Sequence, residues 1–313
     1  MKAGWAVPCG LESRGLTGRG GARGRIPPPR AAASGLGQRS VSSDSSQHVR
    51  QGSPACESAP SVGLPASRFR HVRAPAVAPE LVTELLASGP AVLPSLLLCD
   101  FGHLHDEVER LQAAGARALH LDVMDGRFVP QLTYGPVVVE AVCRSSRVPV
   151  EAHLMIEDPL ATLDAYLDAG VDIVTLHFEA LSDPLEALSR LRHAGVLGQL
   201  AISPKTPVAA IEPLLTGADR ELCDGVLVMS VEPGFGGQAF LPSALEKLST
   251  LAMLRHGRTR PLRLAVDGGI SLSTIGSASA AGAELIVAGS AVLRSDNYAR
   301  ALAELEQTAR EAA

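Results

Sequence analysis

Short apolar runs rich in Val, Ile and Leu alternate with longer stretches of helical period from Ala91 onward. This alternation predicts buried β-strands connected by amphipathic helices. The predicted strands span residues 91–97, 118–124, 148–155, 172–177, 198–203, 224–230, 262–266 and 284–288. A clear helix is predicted over residues 102–114, where Leu104, Val108 and Leu111 share one face.

Eight strand–helix units in about 220 residues predict an α/β fold, a (β/α)8 or TIM barrel. A doubly wound open sheet is the alternative, but no G-x-G-x-x-G sequence follows the first strand. Ala-Gly pairs such as Ala169-Gly170 and Ala194-Gly195 are typical helix ends, because glycine adopts the left-handed conformation without steric cost.

Residues 1–79 have a different composition from the barrel domain, which is predicted for residues 80–313. They contain eleven Lys or Arg, three Asp or Glu, and runs of Gly, Pro and Ser without hydrophobic periodicity. Such a segment cannot offset its chain entropy by burial, so it is predicted to be a disordered extension. The alternatives are a basic organelle transit peptide and an artefact of an upstream start codon. Residues 80–90 predict a short amphipathic helix leading into the barrel.

Composition excludes several classes of protein. The net charge of -5 argues against nucleic acid as the main partner. No apolar run approaches the roughly 20 residues of a membrane span. The five cysteines form no C-x-x-C pair, which indicates free thiols in a reducing compartment. We therefore expect a cytoplasmic protein, or an organellar one if the extension is a transit peptide.

Polar side chains that an apolar core would not tolerate unpaired stand at the ends of four predicted strands: Ser95, His120, Asp122, His153 and Asp267. The carboxyl ends of barrel strands meet at one mouth, where active sites form. Two imidazoles and two carboxylates there predict a site for one divalent metal, Zn, Mn, Fe(II) or Co. Any one of these histidines alone would more often be a hydrogen-bonded core residue.

The other histidines carry weaker signals. His177 ends the fourth predicted strand and is a candidate for orienting a metal ligand from behind. His103, His105, His193 and His256 fall in or beside predicted helices and are expected to be solvated.

Glycine-rich loops follow the last three predicted strands. They contain Gly234, Phe235, Gly236 and Gly237, then Gly268 and Gly269, then Gly289 and Ser290. Glycines let backbone N–H groups approach a ligand, and loops after strands 7 and 8 commonly hold phosphate in this fold. One glycine pair is more often a tight turn, but the three loops together predict a phosphate site.

These segments resemble the ribulose-phosphate 3-epimerase family over residues 91–308. The resemblance is carried by Pro94-Ser95-Leu96-Leu97, His120-Leu121-Asp122-Val123-Met124-Asp125-Gly126, His153-Leu154-Met155, Met229-Ser230-Val231-Glu232-Pro233-Gly234-Phe235-Gly236-Gly237-Gln238, Val266-Asp267-Gly268-Gly269 and Val287-Ala288-Gly289-Ser290-Ala291. It implies a ribulose-phosphate-binding barrel with one divalent metal. The implied reaction interconverts D-ribulose 5-phosphate and D-xylulose 5-phosphate in the pentose phosphate pathway of carbohydrate metabolism.

The resemblance also implies a role for each candidate residue. The metal ligands would be His120, Asp122, His153 and Asp267. Asp122 and Asp267 would be the catalytic proton-transfer pair, and Ser95, His153 and Asp267 would contact substrate. The phosphate end would be held by Gly234, Phe235, Gly236, Gly237, Gly268, Gly269, Gly289 and Ser290. The pocket wall would include Met124, Met155 and Met229, for which ordinary core packing is the alternative. Leu98 and Ala265 depart from the family's usual residues without being proposed ligands.

Inversion of a carbon next to a ketone requires removal of its proton and return of a proton from the other face. Hence two acids are expected, one for each face, with a divalent metal stabilising the charge of the enediolate. The rival interpretations are an epimerase of a six-carbon ketose phosphate such as allulose 6-phosphate, a metal-dependent hydrolase and a non-catalytic phosphate-binding barrel. Self-association into a homo-oligomer is left open.

Deletion of residues 1–75 is expected to leave the implied epimerase activity and the melting temperature nearly unchanged, because the barrel domain begins after them. Activity assays and thermal unfolding of the truncated and full-length chains check this. Loss of soluble protein on truncation would show instead that the extension packs on the barrel.

Overall fold

Eight parallel strands form one sheet that curves almost to closure in the computed structural model, which describes residues 79–313. The strands are β1 (Ala91–Pro94), β2 (Leu119–Met124), β3 (Val150–Met155), β4 (Ile173–His177), β5 (Leu197–Ile202), β6 (Gly225–Met229), β7 (Arg263–Asp267) and β8 (Leu285–Ala288). Each strand from β2 to β7 pairs with the next one along the chain, and β8 pairs with β1. The ring meets between β1 and β2 through an isolated bridge from Ser95 to His120. The predicted barrel is confirmed, and the open-sheet alternative is wrong.

Most helices follow the strands and cover the outside of the barrel, whereas the first one precedes β1. They are α1 (Pro79–Ala87), α2 (Leu104–Ala113), α3 (Pro136–Ser145), α4 (Pro159–Ala169), α5 (Pro184–Ala194), α6 (Glu212–Thr216), α7 (Ser243–Leu254), α8 (Ile275–Ala280), α9 (Ser290–Leu293) and α10 (Tyr298–Ala312). Local chemistry sets several of the helix ends. Asp158 and Asp183 accept backbone N–H bonds at the starts of α4 and α5, and Gly170 and Gly195 end these helices with positive φ.

The core has two layers because side chains alternate across each strand. Leu93, Ile173 and Leu227 belong to a cluster inside the ring, whereas Val92 and Val226 belong to a larger cluster between the sheet and the helices. Both faces of the sheet are therefore buried, which explains why the strands are nearly continuous apolar runs.

The predicted strand limits differ from the observed ones by at most three residues. The largest difference is at the first strand, predicted to reach Leu97 but ending at Pro94. The Ser95 hydroxyl accepts the Leu97 backbone N–H at 3.2 Å, and the chain turns there into a short 3-10 helix over Leu96–Leu98. A serine that hydrogen-bonds its own backbone competes with the strand ladder.

The predicted helix over residues 80–90 corresponds to α1, whose Leu85 is buried in the cluster inside the barrel. The extension predicted for residues 1–79 lies, apart from Pro79, outside the described residues, as do Cys9, Cys56, His48 and His71. Between Pro79 and Ala313, no helix is both long enough and apolar enough to span a bilayer.

Candidate functional site

The four predicted metal ligands come together at the carboxyl end of the barrel. His120 and Asp122 alternate along β2, the register pairs Asp122 with His153 on β3, and Asp267 is the last residue of β7. One ligand atom from each of the four lies within 4.8 Å of the others. Strand alternation and parallel register thus place side chains from three strands around one point.

The separations between these atoms suit a single ion. Asp122 Oδ1 lies 3.4 Å from His120 Nε2 and 3.7 Å from His153 Nδ1. Asp267 Oδ2 also lies 3.7 Å from His153 Nδ1. Atoms bound to one ion at about 2.0–2.2 Å lie roughly 3–4 Å from one another. The four groups could therefore hold one cation after small side-chain movements.

Two buried ring nitrogens without hydrogen-bond partners indicate that these four residues suit a metal ion. His120 Nε2 and His153 Nδ1 are buried and have no hydrogen-bond partner among residues 79–313. Such atoms are costly in a folded protein unless a ligand or ion pairs them. Both point toward the carboxylates of Asp122 and Asp267, so a divalent cation would satisfy all four groups at once.

The outer nitrogen of His120 is anchored by a buried carboxylate. His120 Nδ1 lies 2.9 Å from Glu151 Oε2, and Thr175 donates its hydroxyl to Glu151 Oε1 at 2.5 Å. Hydrogen bonds of this kind orient metal-binding imidazoles and fix which nitrogen is free.

His153 is anchored through a second histidine. His153 Nε2 lies 3.0 Å from His177 Nε2, and His177 Nδ1 lies 3.1 Å from Glu179 Oε2. The structure thus places His177 behind a proposed ligand, where the sequence pattern suggested it. Burial, with a contribution from His153, lowers the pKa of His177 to about 4, so this ring is neutral at physiological pH.

The electrostatics of the two aspartates differ. Burial alone would raise the pKa of Asp122, but the charge of His120 brings it well below its ordinary value. Burial and the charge of Asp122 raise the pKa of Asp267 from 3.8 to about 7. Burial lowers the pKa of His120, but Glu151 and Asp122 outweigh it and the net pKa lies well above 6.5. Positive charge, whether a proton or a cation, is therefore stabilised at this point.

A cleft opens above these four residues. Apart from His120 and His153, which are fully buried beneath it, every predicted site residue lines this cleft. Met124, Met155 and Met229 form part of its wall. Ser95 lies at its base and donates its hydroxyl to Asp122 Oδ2 at 2.5 Å.

The predicted glycine loops form the opposite side of the cleft. Gly268 has φ +112° and a Cβ there would lie 2.4 Å from Val231; Gly269 has φ +60° and a Cβ would lie 2.4 Å from the Phe240 backbone nitrogen. Only glycine fits at these two positions. The Ser230 hydroxyl ties the loops together by donating to the Gly268 carbonyl at 2.6 Å.

Sequence reasoning did not single out Glu151, Thr175 or Glu179 as functional residues. Glu151 stands two residues before His153, so strand alternation was a signal that both share the inner face.

Leu98, which departs from the family's usual residue, lines the cleft beside Gly236. Four other histidines are exposed in the structure, as predicted: His103, His105, His193 and His256.

Comparison with known proteins gives one consistent family. A family model described as "Ribulose-phosphate 3 epimerase family" matches residues 91–293. The chain is 38 % identical over 221 residues to a ribulose-phosphate 3-epimerase of Synechocystis sp., covering 70 % of this chain and 94 % of that protein. It is 43 % identical over 210 residues to a Schizosaccharomyces pombe protein of the same name, covering 66 % and 88 %.

Solved structures support the fold. A 3-hexulose-6-phosphate synthase from Salmonella typhimurium superposes with a TM-score of 0.52 at 18 % identity, covering 71 % of this chain and 100 % of that one. KGPDC from Streptococcus mutans gives a TM-score of 0.54 at 14 % identity, covering 71 % and 98 %. At these identities the likeness concerns the barrel alone.

Asp267→Asn is expected to stabilise the chelator-treated protein at pH 8, on the order of a few kcal/mol. The folded pKa of Asp267 exceeds its ordinary value, so the folded state binds more protons between about pH 4 and 7. The free energy of unfolding contributed by Asp267 therefore falls as pH rises through that window, whereas asparagine does not titrate. Urea unfolding at pH 4 and pH 8 measures the difference.

The exposed Asp168→Asn on α4 is the matched control and should change stability little at either pH. A wild-type protein at least as stable as Asp267→Asn at pH 8 would contradict the assigned electrostatics.

Proposed function

The chain belongs to the ribulose-phosphate 3-epimerase family, and we propose that it interconverts D-ribulose 5-phosphate and D-xylulose 5-phosphate by proton transfer at C3, with one bound divalent metal ion. The observation that carries the proposal is the convergence of Asp122 and Asp267 with two buried, unpartnered imidazole nitrogens at the base of one cleft. A hydrolase needs an activated water but has no need of a second acid for the opposite face of a carbon.

The two aspartates are suited to opposite halves of one proton transfer. Asp122 is the base in one direction because its pKa is low and it is ionised. Asp267 is the acid because its raised pKa allows it to carry a proton near neutral pH. Environments that push two carboxyl pKa values apart are a general sign of such a pair. In the reverse direction the roles exchange.

Neighbouring residues hold these acids in place. Ser95 donates to Asp122 Oδ2 and restricts the rotation of that carboxylate. His120, Asp122, His153 and Asp267 would hold the ion. When bound, a divalent ion supplies positive charge that stabilises the oxygens of an enediolate. Zn, Mn, Fe(II) and Co are all compatible with a mixed set of nitrogen and oxygen ligands.

The wall of the cleft protects the reacting carbons. Met124, Met155 and Met229 offer polarisable apolar surface and no exchangeable proton. They would exclude water that could protonate the intermediate from either face. Gly234, Gly236, Gly268 and Gly289 lie on the glycine side of the cleft, where backbone groups can approach the substrate phosphate closely.

Two broader features accompany this function. Cys99, Cys143 and Cys223 are free thiols, which favours a reducing compartment such as the cytoplasm. The partner we propose is a small phosphorylated ketose, and neither nucleic acid nor a membrane is required by the chemistry.

A coupled assay with D-ribulose 5-phosphate tests the function directly. Turnover is expected with the five-carbon substrate, loss of most activity after chelation, and recovery on adding Zn, Mn, Fe(II) or Co. The six-carbon ketose phosphate should turn over less well than the five-carbon substrate. A preference for the six-carbon substrate would make the rival epimerase correct, and full activity after exhaustive chelation would contradict the metal assignment.

Asp267→Asn is expected to reduce epimerisation by at least the roughly 10²–10⁴-fold that one acid–base group supplies. Exchange of the substrate C3 proton with solvent should continue from one face, because Asp122 remains. Proton NMR in D2O follows exchange and product together. Asp168→Asn should match wild type in both, and undiminished epimerisation by Asp267→Asn would refute the two-acid assignment.

A further inference from the structure

Glu179 lies outside the ligand set but is connected to it through two rings. Its Oε2 faces His177 Nδ1 at 3.1 Å, and His177 Nε2 faces His153 Nε2 at 3.0 Å. The other nitrogen of His153 is the buried, unpartnered Nδ1 beside Asp122 and Asp267. A line of polar contacts therefore runs from the proposed metal site to a carboxylate after β4.

The carboxylate at the end of this line is held by donors. Glu179 Oε1 accepts the Ser203 backbone N–H at 2.8 Å and the Thr206 hydroxyl. The loop carrying these donors is itself fixed, because Lys247 Nζ donates to the carbonyls of Ser203, Pro204 and Thr206 at 2.7–2.9 Å. Glu179 is thus positioned as an acceptor independently of the histidines.

With one proton on each ring, the protons along this line can be arranged in two ways. In the first, His153 Nε2–H donates to His177 and His177 Nδ1–H donates to Glu179, which leaves His153 Nδ1 bare. In the second, all donors reverse, so that a bare His177 Nδ1 faces a carboxylate oxygen and His153 Nδ1 carries a proton. An ionised carboxylate has no donor. The second arrangement sets lone pair against lone pair at 3.1 Å, within hydrogen-bond distance. In the first arrangement the bare His153 Nδ1 lies 3.7 Å from Asp122 Oδ1 and Asp267 Oδ2, beyond that distance, so the second arrangement is disfavoured.

We propose that Glu179, acting through His177, is a positioning residue that keeps the Nδ1 lone pair of His153 directed at the proposed metal site. Phe128 packs against the His177 ring with a centroid separation of 4.8 Å and helps hold it. The inference rests on the proposed metal, although the ring tautomers can be measured without it.

Glu179→Gln tests this with almost no change in shape. Because the Ser203 N–H requires an acceptor, the amide oxygen must face it, and the amide NH2 must then face His177 Nδ1. When that NH2 donates to His177 Nδ1, His177 must carry its proton on Nε2 and donate it to His153 Nε2. The proton of His153 then lies on Nδ1. We expect Zn²⁺ affinity, measured by competition with a chromophoric chelator, to fall about 10–100-fold.

Glu140→Gln is the matched control, since that carboxylate pairs with Arg144 on the surface of α3. It should leave Zn²⁺ affinity unchanged. Equal Zn²⁺ affinity in Glu179→Gln and wild type would overturn the proposal.

Imidazole ¹⁵N spectra of the metal-free protein at pH 8 provide a second measurement that does not depend on metal binding. The wild type should show a bare His153 Nδ1 and a protonated His177 Nδ1, and Glu179→Gln should show the reverse. A wild-type spectrum with the proton on His153 Nδ1 would also overturn the proposal. Failure of the wild type to bind Zn²⁺ would count against the proposed function, whereas the spectra would still decide this inference.

Discussion

Two fully buried imidazole rings, His120 and His153, are each anchored through one nitrogen and leave the other facing Asp122. A buried polar atom without a partner costs about 1–3 kcal/mol. Asp267 adds a second carboxyl group at the same point, with its pKa raised by burial and by Asp122. The folded chain therefore maintains a local excess of unsatisfied groups that a divalent cation would relieve, and the proposed chemistry depends on it.

The barrel tolerates such an arrangement because the polar groups are distributed over several strands. β2, β3 and β7 each contribute one or two of the four converging side chains, while neighbouring residues such as Leu121, Leu154 and Leu264 pack in the apolar layer beneath the helices. Glycine loops occupy the remaining rim, where any Cβ at Gly268 or Gly269 would collide with a neighbour. Stability thus comes from the body of the barrel and chemistry from its mouth.

The sequence was sufficient to predict the strands and the meeting of four polar side chains at one end of the barrel, since both follow from short-range patterns. Apolar runs indicated the strands, and two-residue alternation placed His120 with Asp122. Glu151, the anchor behind His120, was not predicted, because the contact between the two residues depends on the register of two strands. The contrast between Asp122 and Asp267 likewise arises from burial and charge that exist only in the folded chain. The early end of β1 reflects a local serine turn that competes with the ladder.

Anomalous diffraction from crystals grown with Zn²⁺ or Mn²⁺ would locate the bound ion. We expect one strong peak about 2.0–2.2 Å from His120 Nε2, His153 Nδ1 and a carboxylate oxygen of each of Asp122 and Asp267. With a substrate analogue bound, the two carboxyl groups should flank opposite faces of its C3. A peak elsewhere would rule out the proposed metal site, and both acids on the same face of that carbon would rule out the two-acid mechanism.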